Sequence, residues 1–371
     1  MKITSVEWTG LRVPFRGRYV TAQESAVDRH TMLVVIADGE GTTGIGEAAP
    51  VGVGSLGDVQ RLDQVLQAVC GRLLGMEPSR AMDLLLALLP DAGIGAAARF
   101  GVETALLDLR GKEADLPVAH LIGGEVGHPQ VNAVIGMELL SDAVHAAKAA
   151  VSSGFGTLKL KVGRPQLEED RIFVEEVRRA VGASVRLRID ANEAWDVEEA
   201  IVAINALEPF GLEYVEQPVA GIRALAQVRE GVGVPIAADE CLATPADAAQ
   251  ALAANAADVF VVKAARVGGL VQAVKMIELA EAGSVGVVVT SSLETGVGIA
   301  ASLHLAGVLP TDGLACGLAT AGMLEHDMLR SSIRVADGRM QIPDRAGLGV
   351  ELDMRAVARY AVGIEGRVGE G

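Results

Sequence analysis

The chain has 371 residues and a formal net charge of −16, from 32 basic and 48 acidic residues, which argues against nucleic acid or another polyanion as a partner. Half of the residues are hydrophobic, yet the longest apolar runs, such as residues 84–89, are far shorter than the roughly 20 residues that cross a bilayer. Because no secretory signal fits the first residues and the three cysteines are far apart, we expect a cytoplasmic protein that does not associate with membranes.

Residues 1–128 are predicted to form an α+β domain. Residues 3–13 alternate between apolar and polar side chains like a strand, and a second strand is predicted at 31–37. The sequence DGEG at 38–41 is a strong hairpin signal. Residues 58–121 then have a helical pattern.

Residues 129–331 show a different pattern, in which short β-branched runs alternate with Ala- and Glu-rich helical stretches. From the second run to the sixth, the polar residues that end the runs are 29, 26, 23 and 24 positions apart, close to the roughly 30 residues of one strand–helix unit in a β/α barrel. Doubly wound open sheets have similar units, so the spacing alone leaves both architectures open. The predicted strands are 131–135, 157–162, 185–190, 212–217, 234–239, 259–263 and 285–290, with an eighth candidate at 313–316.

The repeating pattern stops after about residue 331. Residues 332–371 begin with a predicted hairpin at 333–342, whose turn is the Asp337–Gly338 pair. We expect this last segment to return to the first domain.

Charged residues stand at the ends of five successive predicted strands. Strand ends in a β/α barrel meet on the face that holds catalytic groups, so this placement favours the barrel over the open sheet. A single acid at a strand end usually caps a turn, and a lysine in a strand often marks a solvated edge. Five such residues at successive strand ends instead indicate one shared site. They are Lys161, Asp190, Glu216, Asp239 and Lys263.

Three converging carboxylates would repel one another, and a divalent cation would remove that repulsion. Oxygen-only ligands favour Mg²⁺ or Mn²⁺ over zinc. Such an ion can bind a substrate carboxylate and stabilise the dianion that forms when the α-proton leaves. A lysine accepts that proton more readily when burial and neighbouring positive charge lower its pKa, and Lys159 lies two residues before Lys161 on the same face of the strand. We therefore predict a metal-dependent enzyme with a small-molecule carboxylate as substrate.

A glycine-rich stretch at residues 52–57, G-V-G-S-L-G, matches the dinucleotide-binding fingerprint. It follows Pro50 rather than a clear buried strand, and no acidic residue stands out about 20 residues later at the end of a second strand. A loop that caps the helix beginning near Asp58 is the favoured interpretation.

Motifs that are similar to one family extend over nearly the whole chain. They are GIGEAAP at 44–50, LIGG at 121–124, KLK at 159–161, DAN at 190–192, EQP at 216–218, ADE at 238–240, the pair Gly268–Gly269, SSLETGVG at 291–298 and GLGVE at 347–351. With these motifs the chain resembles the enolase superfamily, specifically its muconate-lactonizing-enzyme subgroup. The resemblance implies a modified TIM barrel, (β/α)₇β, with an α+β capping domain formed by both termini.

The same resemblance implies a role for each matching residue. The metal ligands would be Asp190, Glu216 and Asp239, holding Mg²⁺ or Mn²⁺. The catalytic lysines would be Lys161 as acid and base, Lys159 assisting it, and Lys263 on the opposite face. Supporting or substrate-binding positions would be Asn192, Glu240, Ser291 and Glu294. Homo-oligomers are common among such proteins, so one is expected here.

Within the family, RIDANEAW, EYVEQPV and ACGLATAGMLEHD are most similar to o-succinylbenzoate synthases of menaquinone biosynthesis. In such enzymes one lysine, here Lys161, removes the α-proton and then helps the β-hydroxyl leave as water. Glu193 and the KAARVGG stretch after the sixth strand depart from the usual pattern, which bears on the substrate more than on the metal chemistry.

Other activities share this site. An N-succinylamino-acid racemase or dipeptide epimerase would use Lys161 and Lys263 as two bases, and muconate cycloisomerase is a further alternative. Dipeptide epimerases usually carry Asp-x-Asp near the eighth strand, which ACGLAT lacks, and no histidine ends the seventh strand, which disfavours a mandelate-racemase-like protein. A non-catalytic binding protein is the alternative of another class. Specificity is expected to depend on residues 15–25 and 291–294.

Overall fold

The computed structural model of the chain describes residues 2–20, 25–90, 92–136 and 139–369. Within these residues the strands are β1 (Ile3–Val20), β2 (Ser25–Asp38), β3 (Thr43–Ala48), β4 (Ala133–Ile135), β5 (Thr157–Lys161), β6 (Arg186–Asp190), β7 (Leu212–Glu216), β8 (Ile236–Ala238), β9 (Val259–Val262), β10 (Gly286–Val289), β11 (Val335–Ala336), β12 (Arg339–Met340) and β13 (Ala361–Gly369). The α-helices are α1 (Leu56–Val69), α2 (Pro78–Leu88), α3 (Gly93–Ala114), α4 (Val118–Leu121), α5 (Leu140–Ser152), α6 (Leu167–Val181), α7 (Val197–Leu207), α8 (Ile222–Gly231), α9 (Pro245–Ala253), α10 (Ala264–Val267), α11 (Leu270–Ala282), α12 (Gly296–Ala306) and α13 (Met354–Tyr360). Short 3₁₀ helices are Cys70–Leu73, Glu208–Phe210 and Ala321–Met323.

The two ends of the chain share one antiparallel sheet, in the order β13–β1–β2–β3. The C-terminal strand pairs with β1, so the last segment does join the first sheet. Helix α3 packs so closely on β3 that a Cβ at Gly44 or Gly46 would lie only 2.0 Å from a carbonyl oxygen of the helix. The GIGE motif therefore reflects a backbone contact that only glycine permits. We call this sheet with α1–α3 the cap.

The remaining large sheet is parallel, in the order β10–β9–β8–β7–β6–β5–β4. An eighth segment closes it. Cys316 forms a parallel β-bridge with Val131, and Gly317 forms one with Thr290. The Gly317 amide also donates a hydrogen bond to the Val289 carbonyl at 2.9 Å. The predicted capped (β/α)₇β barrel is confirmed. Within the described ranges, no helix is long and apolar enough to cross a membrane.

Strand register brings the predicted site residues to one level. Lys161 on β5 is the register partner of Asp190 on β6, which in turn is the partner of Glu216 on β7. Asp239 directly follows β8, and Lys263 directly follows β9. Adjacent carboxyl ends of parallel strands thus hold all five residues.

Several strands are shorter than predicted. The fifth predicted strand, 234–239, is observed as Ile236–Ala238, and the eighth is displaced from 313–316 to bridges at Cys316 and Gly317. Asp239 leaves the sheet ladder to begin a turn, and Lys263 is the N-cap of α10, so the functional residues lie just beyond the strands. The hairpin predicted at 333–342 is confirmed by the pairing of β11 with β12.

The glycine-rich stretch at 52–57 runs from the loop after β3, a strand of the antiparallel sheet, into the first residues of α1. The Ser55 hydroxyl accepts the Asp58 amide at 3.1 Å and caps this helix. This is the helix-capping loop that was expected, and it lacks the βαβ context of a dinucleotide site. The domain limits 1–128, 129–331 and 332–371 stay predictions.

A buried histidine of α12 joins helix α4 and the segment at Leu348. Nδ1 of His304, on α12, accepts a hydrogen bond from the Ala119 amide at 3.1 Å, and Nε2 lies 3.2 Å from the Leu348 carbonyl oxygen. Nε2 must therefore carry the hydrogen of a neutral imidazole. Burial lowers the pKa of His304 to about 4.

We expect His304 to make the protein less stable at acidic pH. Below the ordinary pKa of about 6.5 the unfolded chain binds a proton that the folded chain binds only near pH 4, so stability falls as the pH drops through this window. At pH 5 the loss should be about 2 kcal/mol. Urea unfolding at pH 7.5 and pH 5 should show that His304→Gln is less stable than the wild type at pH 7.5 and that the difference narrows by this amount at pH 5. A difference that is equal at both pH values would contradict this account.

Candidate active site

Two lysines of β5 neutralise the carboxylates of the next two strands. Lys159 Nζ lies 2.6 Å from Glu216 Oε1 and 2.8 Å from Asp190 Oδ2. Lys161 Nζ lies 2.6 Å from the same Asp190 oxygen and donates to Asn192 Oδ1 at 2.8 Å. Both lysine side chains are about nine-tenths buried, with 10% and 9% exposed, and both carboxylates are almost fully buried. Alternation along β5 therefore directs both lysines into the barrel, as predicted.

The third lysine approaches from the other side of the carboxylates. Lys263, whose side chain is 17% exposed, forms an ion pair with Asp239. The Asp239 amide donates to Gln217 Oε1 at 2.8 Å, so the EQP motif orients the loop that carries this carboxylate. Asn192 donates to Glu240 Oε1 at 2.9 Å and links the loops after β6 and β8.

Two of these loops contain residues with an unusual backbone conformation. Asn192, Glu193 and Gln217 have φ values of 45°, 62° and 36°, in the left-handed region that residues other than glycine rarely adopt. Such conformations persist where surrounding contacts hold them, commonly at functional sites. The side-chain contacts of Asn192 and Gln217 supply that support here.

Burial and ion pairing act in opposite directions on the charged groups. Burial lowers the pKa of Lys159, but Asp190 and Glu216 outweigh it and hold that pKa well above its ordinary value. Burial raises the pKa of Asp190, yet Lys159 and Lys161 bring it well below its usual range. Burial raises the pKa of Glu216 to about 8, and the neighbouring Asp190 charge adds to the effect. Lys263 keeps a raised pKa because Asp239 outweighs its burial.

A small cavity of about 100 Å³ lies over this cluster. Larger hollows of about 340 and 640 Å³ occur elsewhere, but none of the predicted catalytic residues lines them, so chemistry rather than size identifies the site. The cavity is lined by Tyr19, Val51, Gly52, Asn132, Val134, Lys159, Lys161, Lys263, Thr290, Ser291, Ser292, Leu293, Gly317, Thr320 and Met323.

The structure brings most of the predicted site residues together. Ser291 lines the cavity and shares a hydrogen bond of 2.6 Å with Thr320. Glu294 does not line it. Instead, Glu294 Oε2 accepts the Ser292 amide at 2.7 Å, and the side chain is buried beside Glu47 of the cap.

Sequence reasoning missed several lining residues. The sequence pattern predicts a helix-capping loop at Gly52, and the structure shows that this loop also reaches the cavity. Asn132 precedes β4, Thr290 follows β10 and Thr320 precedes the last 3₁₀ helix, and none of them carries a charge that would single it out. Tyr19 falls within the predicted specificity stretch 15–25, of which residues 21–24 lie outside the described residues.

The carboxylates could hold a cation, although their side chains now face the lysines. Among the described residues, no three His, Cys, Asp or Glu side chains are grouped closely enough to hold a metal ion as they stand. However, Glu216 Oε2 and Asp239 Oδ1 are buried and find no hydrogen-bond partner within the described part of the chain. Buried carboxylate oxygens normally have partners, so two such atoms on adjacent strands fit a hard cation.

The cap holds the loop that forms one wall of the cavity. Glu47, at the end of β3, accepts the Thr295 amide at 2.9 Å, the Thr295 hydroxyl at 2.7 Å and the Gly298 amide at 3.0 Å. These donors lie at the beginning of α12, directly after Ser291–Glu294. Since the helix N-terminus attracts negative charge, Glu47 is both a link between domains and a helix cap.

The fold and the site define a capped β/α barrel with a lysine- and carboxylate-lined cavity at the carboxyl ends of its strands. Residues 3–123 match the mandelate racemase/muconate lactonizing enzyme N-terminal domain, and residues 142–356 match the enolase C-terminal domain-like family. The chain belongs to the enolase superfamily, in its mandelate racemase and muconate lactonizing enzyme subgroup.

Relatives with different activities are similar to this chain. An o-succinylbenzoate synthase of Thermobifida fusca is 43% identical over 218 residues, covering 57% of this chain and 68% of the relative. Muconate cycloisomerase 1 of Rhodococcus opacus is 30% identical, covering 97% of this chain and 98% of the relative. The solved structure of a dipeptide epimerase from Cytophaga hutchinsonii, in complex with Mg and the dipeptide D-Ala-L-Val, has a TM-score of 0.90 and 27% identity and covers 99% of this chain and 100% of that one. These relatives are all enzymes, and they do not decide between the individual reactions.

We expect Glu47→Gln to lower the free energy of unfolding by about 2 kcal/mol, because one acceptor oxygen becomes an amide that faces buried donors. The exposed Glu7, which pairs with Arg367 at 3.3 Å, provides a control, and Glu7→Gln should change stability by less than about 1 kcal/mol. Urea unfolding measures both variants. Equal, small effects would show that Glu47 does not contribute to holding the cap on the barrel.

Proposed function

We propose that this protein removes the proton α to the carboxylate of a small molecule and forms an enediolate, with the help of a divalent cation. The observation that carries the proposal is that Lys161 and Lys263 line one cavity, each in contact with a carboxylate at a strand end. An acceptor for the proton and a stabilising positive charge are the two groups that this reaction requires.

Asp190, Glu216 and Asp239 would hold the cation, which we propose to be Mg²⁺ or Mn²⁺. Support comes from the two buried carboxylate oxygens without partners among the described residues and from the all-oxygen donor set. When bound, such an ion would attract the substrate carboxylate and stabilise the negative charge that develops on it.

Lys161 is the proposed base. As the free amine it accepts the α-proton, and it then holds that proton as an ammonium group. Its contacts with Asp190 and Asn192 fix the position of Nζ. Lys159 keeps positive charge beside it, and the Lys263 ammonium stabilises the enediolate from the other side of the cavity.

The specific reaction we propose is that of o-succinylbenzoate synthase, supported by the 43% identity to one such enzyme. After α-proton removal, the Lys161 ammonium donates the proton to the β-hydroxyl of the substrate. The β-carbon–oxygen bond breaks, water leaves, and the electron pair of the enediolate forms the new carbon–carbon double bond. Lys161 is thereby left as the free amine with which the reaction began.

A racemase or epimerase is the second candidate, because two lysines at one cavity can act as two bases. A dipeptide carries an ammonium group that needs a carboxylate nearby, yet the described residues that line the cavity from the eighth segment and the turn after it are Gly317, Thr320 and Met323, none of them acidic. N-succinylated amino acids lack that ammonium group. Racemisation of an N-succinylamino acid is therefore better supported than epimerisation of a dipeptide. Muconate cycloisomerisation would use the same lysines.

We expect Asp239→Asn to weaken Mn²⁺ binding about 100-fold or more, because it removes an anionic ligand. Asp258, which pairs with Arg229 at the start of β9, lies at the opposite end of the barrel and is the matched control. Asp258→Asn should leave the affinity within about twofold. Titration of the metal-free protein followed by electron paramagnetic resonance gives both constants. Unchanged affinity in Asp239→Asn would remove this residue from the metal site.

The proposed activity is tested by dehydration of the o-succinylbenzoate precursor in the presence of Mg²⁺, followed by absorbance. Lys161→Ala should lower turnover by about 100-fold to 10,000-fold, the usual contribution of a positioned base, whereas Lys148→Ala on helix α5 should have no effect.

Three other outcomes would change the assignment. Absence of dehydration together with racemisation of N-succinyl amino acids would reassign the reaction to an isomerase. Undiminished exchange of the substrate α-proton with deuterium in Lys161→Ala would exclude Lys161 as the base. Substrate binding without any α-proton exchange in the wild type would indicate a binding protein.

A further inference from the structure

A second contact between the cap and the barrel involves the residues that follow Lys263 in the chain. Helix α3 of the cap carries Arg99 and Glu103 one turn apart, and both are buried, with 0% and 2% exposed. Their partners belong to the barrel loop that follows Lys263. Neither residue lines the cavity, so the proposed chemistry does not use them directly.

Arg99 holds the end of the short helix that Lys263 begins. Its Nε donates to the Gly268 carbonyl at 2.6 Å, and its Nη2 donates to the Val267 carbonyl at 3.1 Å. The Val267 amide in turn donates to the Lys263 carbonyl at 3.1 Å. Two successive hydrogen bonds therefore connect the guanidinium group to the backbone of the lysine.

Glu103 holds the next helix in the same loop. Its Oε1 accepts the Val271 amide at 3.1 Å, in the first turn of α11. Helix N-termini favour a negative group, which makes this contact an interdomain helix cap. Burial raises the pKa of Glu103 to about 7.

The glycine pair after Lys263 is shaped by these two side chains. Gly268 and Gly269 have φ values of 81° and 133°. A Cβ at Gly268 would lie 2.2 Å from Arg99 Nη2, and one at Gly269 would lie 2.4 Å from Glu103 Oε1. The backbone of the loop therefore packs directly against the Arg99 and Glu103 side chains, with no room for a side chain at either glycine.

We propose that Arg99 and Glu103 are positioning residues that set where the Lys263 ammonium lies in the cavity. The cap thus acts on the second lysine through α10, while Lys161, held by Asp190 and Asn192 within the barrel, does not depend on this contact. The functional meaning of the inference rests on the proposed function, but the placement of Lys263 can be measured without any turnover.

The test compares the reactivity of two lysines within one molecule. The folded full-length protein is labelled with trace acetic anhydride at pH 8, digested after arginine, and the acetylation of Lys263 is divided by that of Lys161. Lys263 is the single lysine between Arg229 and Arg266, whereas Lys161 shares its peptide with Lys112, Lys148 and Lys159, so acetylation of Lys161 is assigned from fragment ions. Because both lysines belong to the same molecule, the ratio does not depend on the concentration of the protein or of the reagent.

Arg99→Met and Glu103→Gln should raise the Lys263 to Lys161 ratio at least threefold, because Lys263 no longer stays against Asp239. Arg178, which donates to the Phe210, Gly182 and Val185 carbonyls outside the site, is the matched arginine control. Arg178→Met and the other interdomain variant, Glu47→Gln, should change the ratio by less than 1.5-fold.

Other results would overturn the proposal. A ratio within 1.5-fold of the wild type in both Arg99→Met and Glu103→Gln would show that the contact only joins the domains. An equal rise at both lysines would show general loosening. If Arg99→Met does not fold, Arg99→Lys keeps the charge but loses the two-carbonyl contact, and it is judged by the same ratio. A protein that fails to remove α-protons but shows the expected ratio would refute the proposed function and leave this inference standing.

Discussion

Negative charge buried at the ends of three adjacent parallel strands is the constraint on which the rest of this structure depends. Asp190 and Glu216 are register partners, and Asp239 follows the next strand, so their charges cannot separate without breaking the sheet. Desolvated carboxylates are stable only next to positive charge. Lys159 and Lys161 supply it at Glu216 and Asp190, and Lys263 supplies it at Asp239. Lys161 and Lys263 thus lie on the two sides of the row, which is also the arrangement that proton transfer at a bound carboxylate requires.

The cap follows from the same constraint, because a charged cavity at the end of a barrel needs walls that exclude water. The cap supplies Tyr19, near the end of β1, and Gly52, in the loop after β3, to the cavity. Buried carboxylates of the cap bind at the first turns of two barrel helices, Glu47 at α12 and Glu103 at α11. Each of these helices follows a loop that carries cavity residues, so the attachment of the cap and the shape of the site are coupled.

The barrel and its charged cluster could be predicted from sequence because their signals are local. Each strand is a short apolar run, and its functional residue stands at the end of that run. The contacts between cap and barrel could not be predicted in this way, because Arg99 and Gly268 are 169 positions apart and Glu47 and Thr295 are 248 apart. Glu294, a predicted supporting or substrate-binding residue, lies outside the cavity because its carboxylate turns back to the Ser292 amide, and no sequence pattern shows this local loop geometry.

The central claim is that the three carboxylates form one metal site between two lysines. Anomalous scattering from a crystal soaked in Mn²⁺ tests it most directly. The account predicts one strong peak in contact with oxygens of Asp190, Glu216 and Asp239, with Lys161 Nζ and Lys263 Nζ on opposite sides of the adjoining cavity. A peak elsewhere, or none at these carboxylates at a Mn²⁺ concentration that saturates the protein, would contradict it.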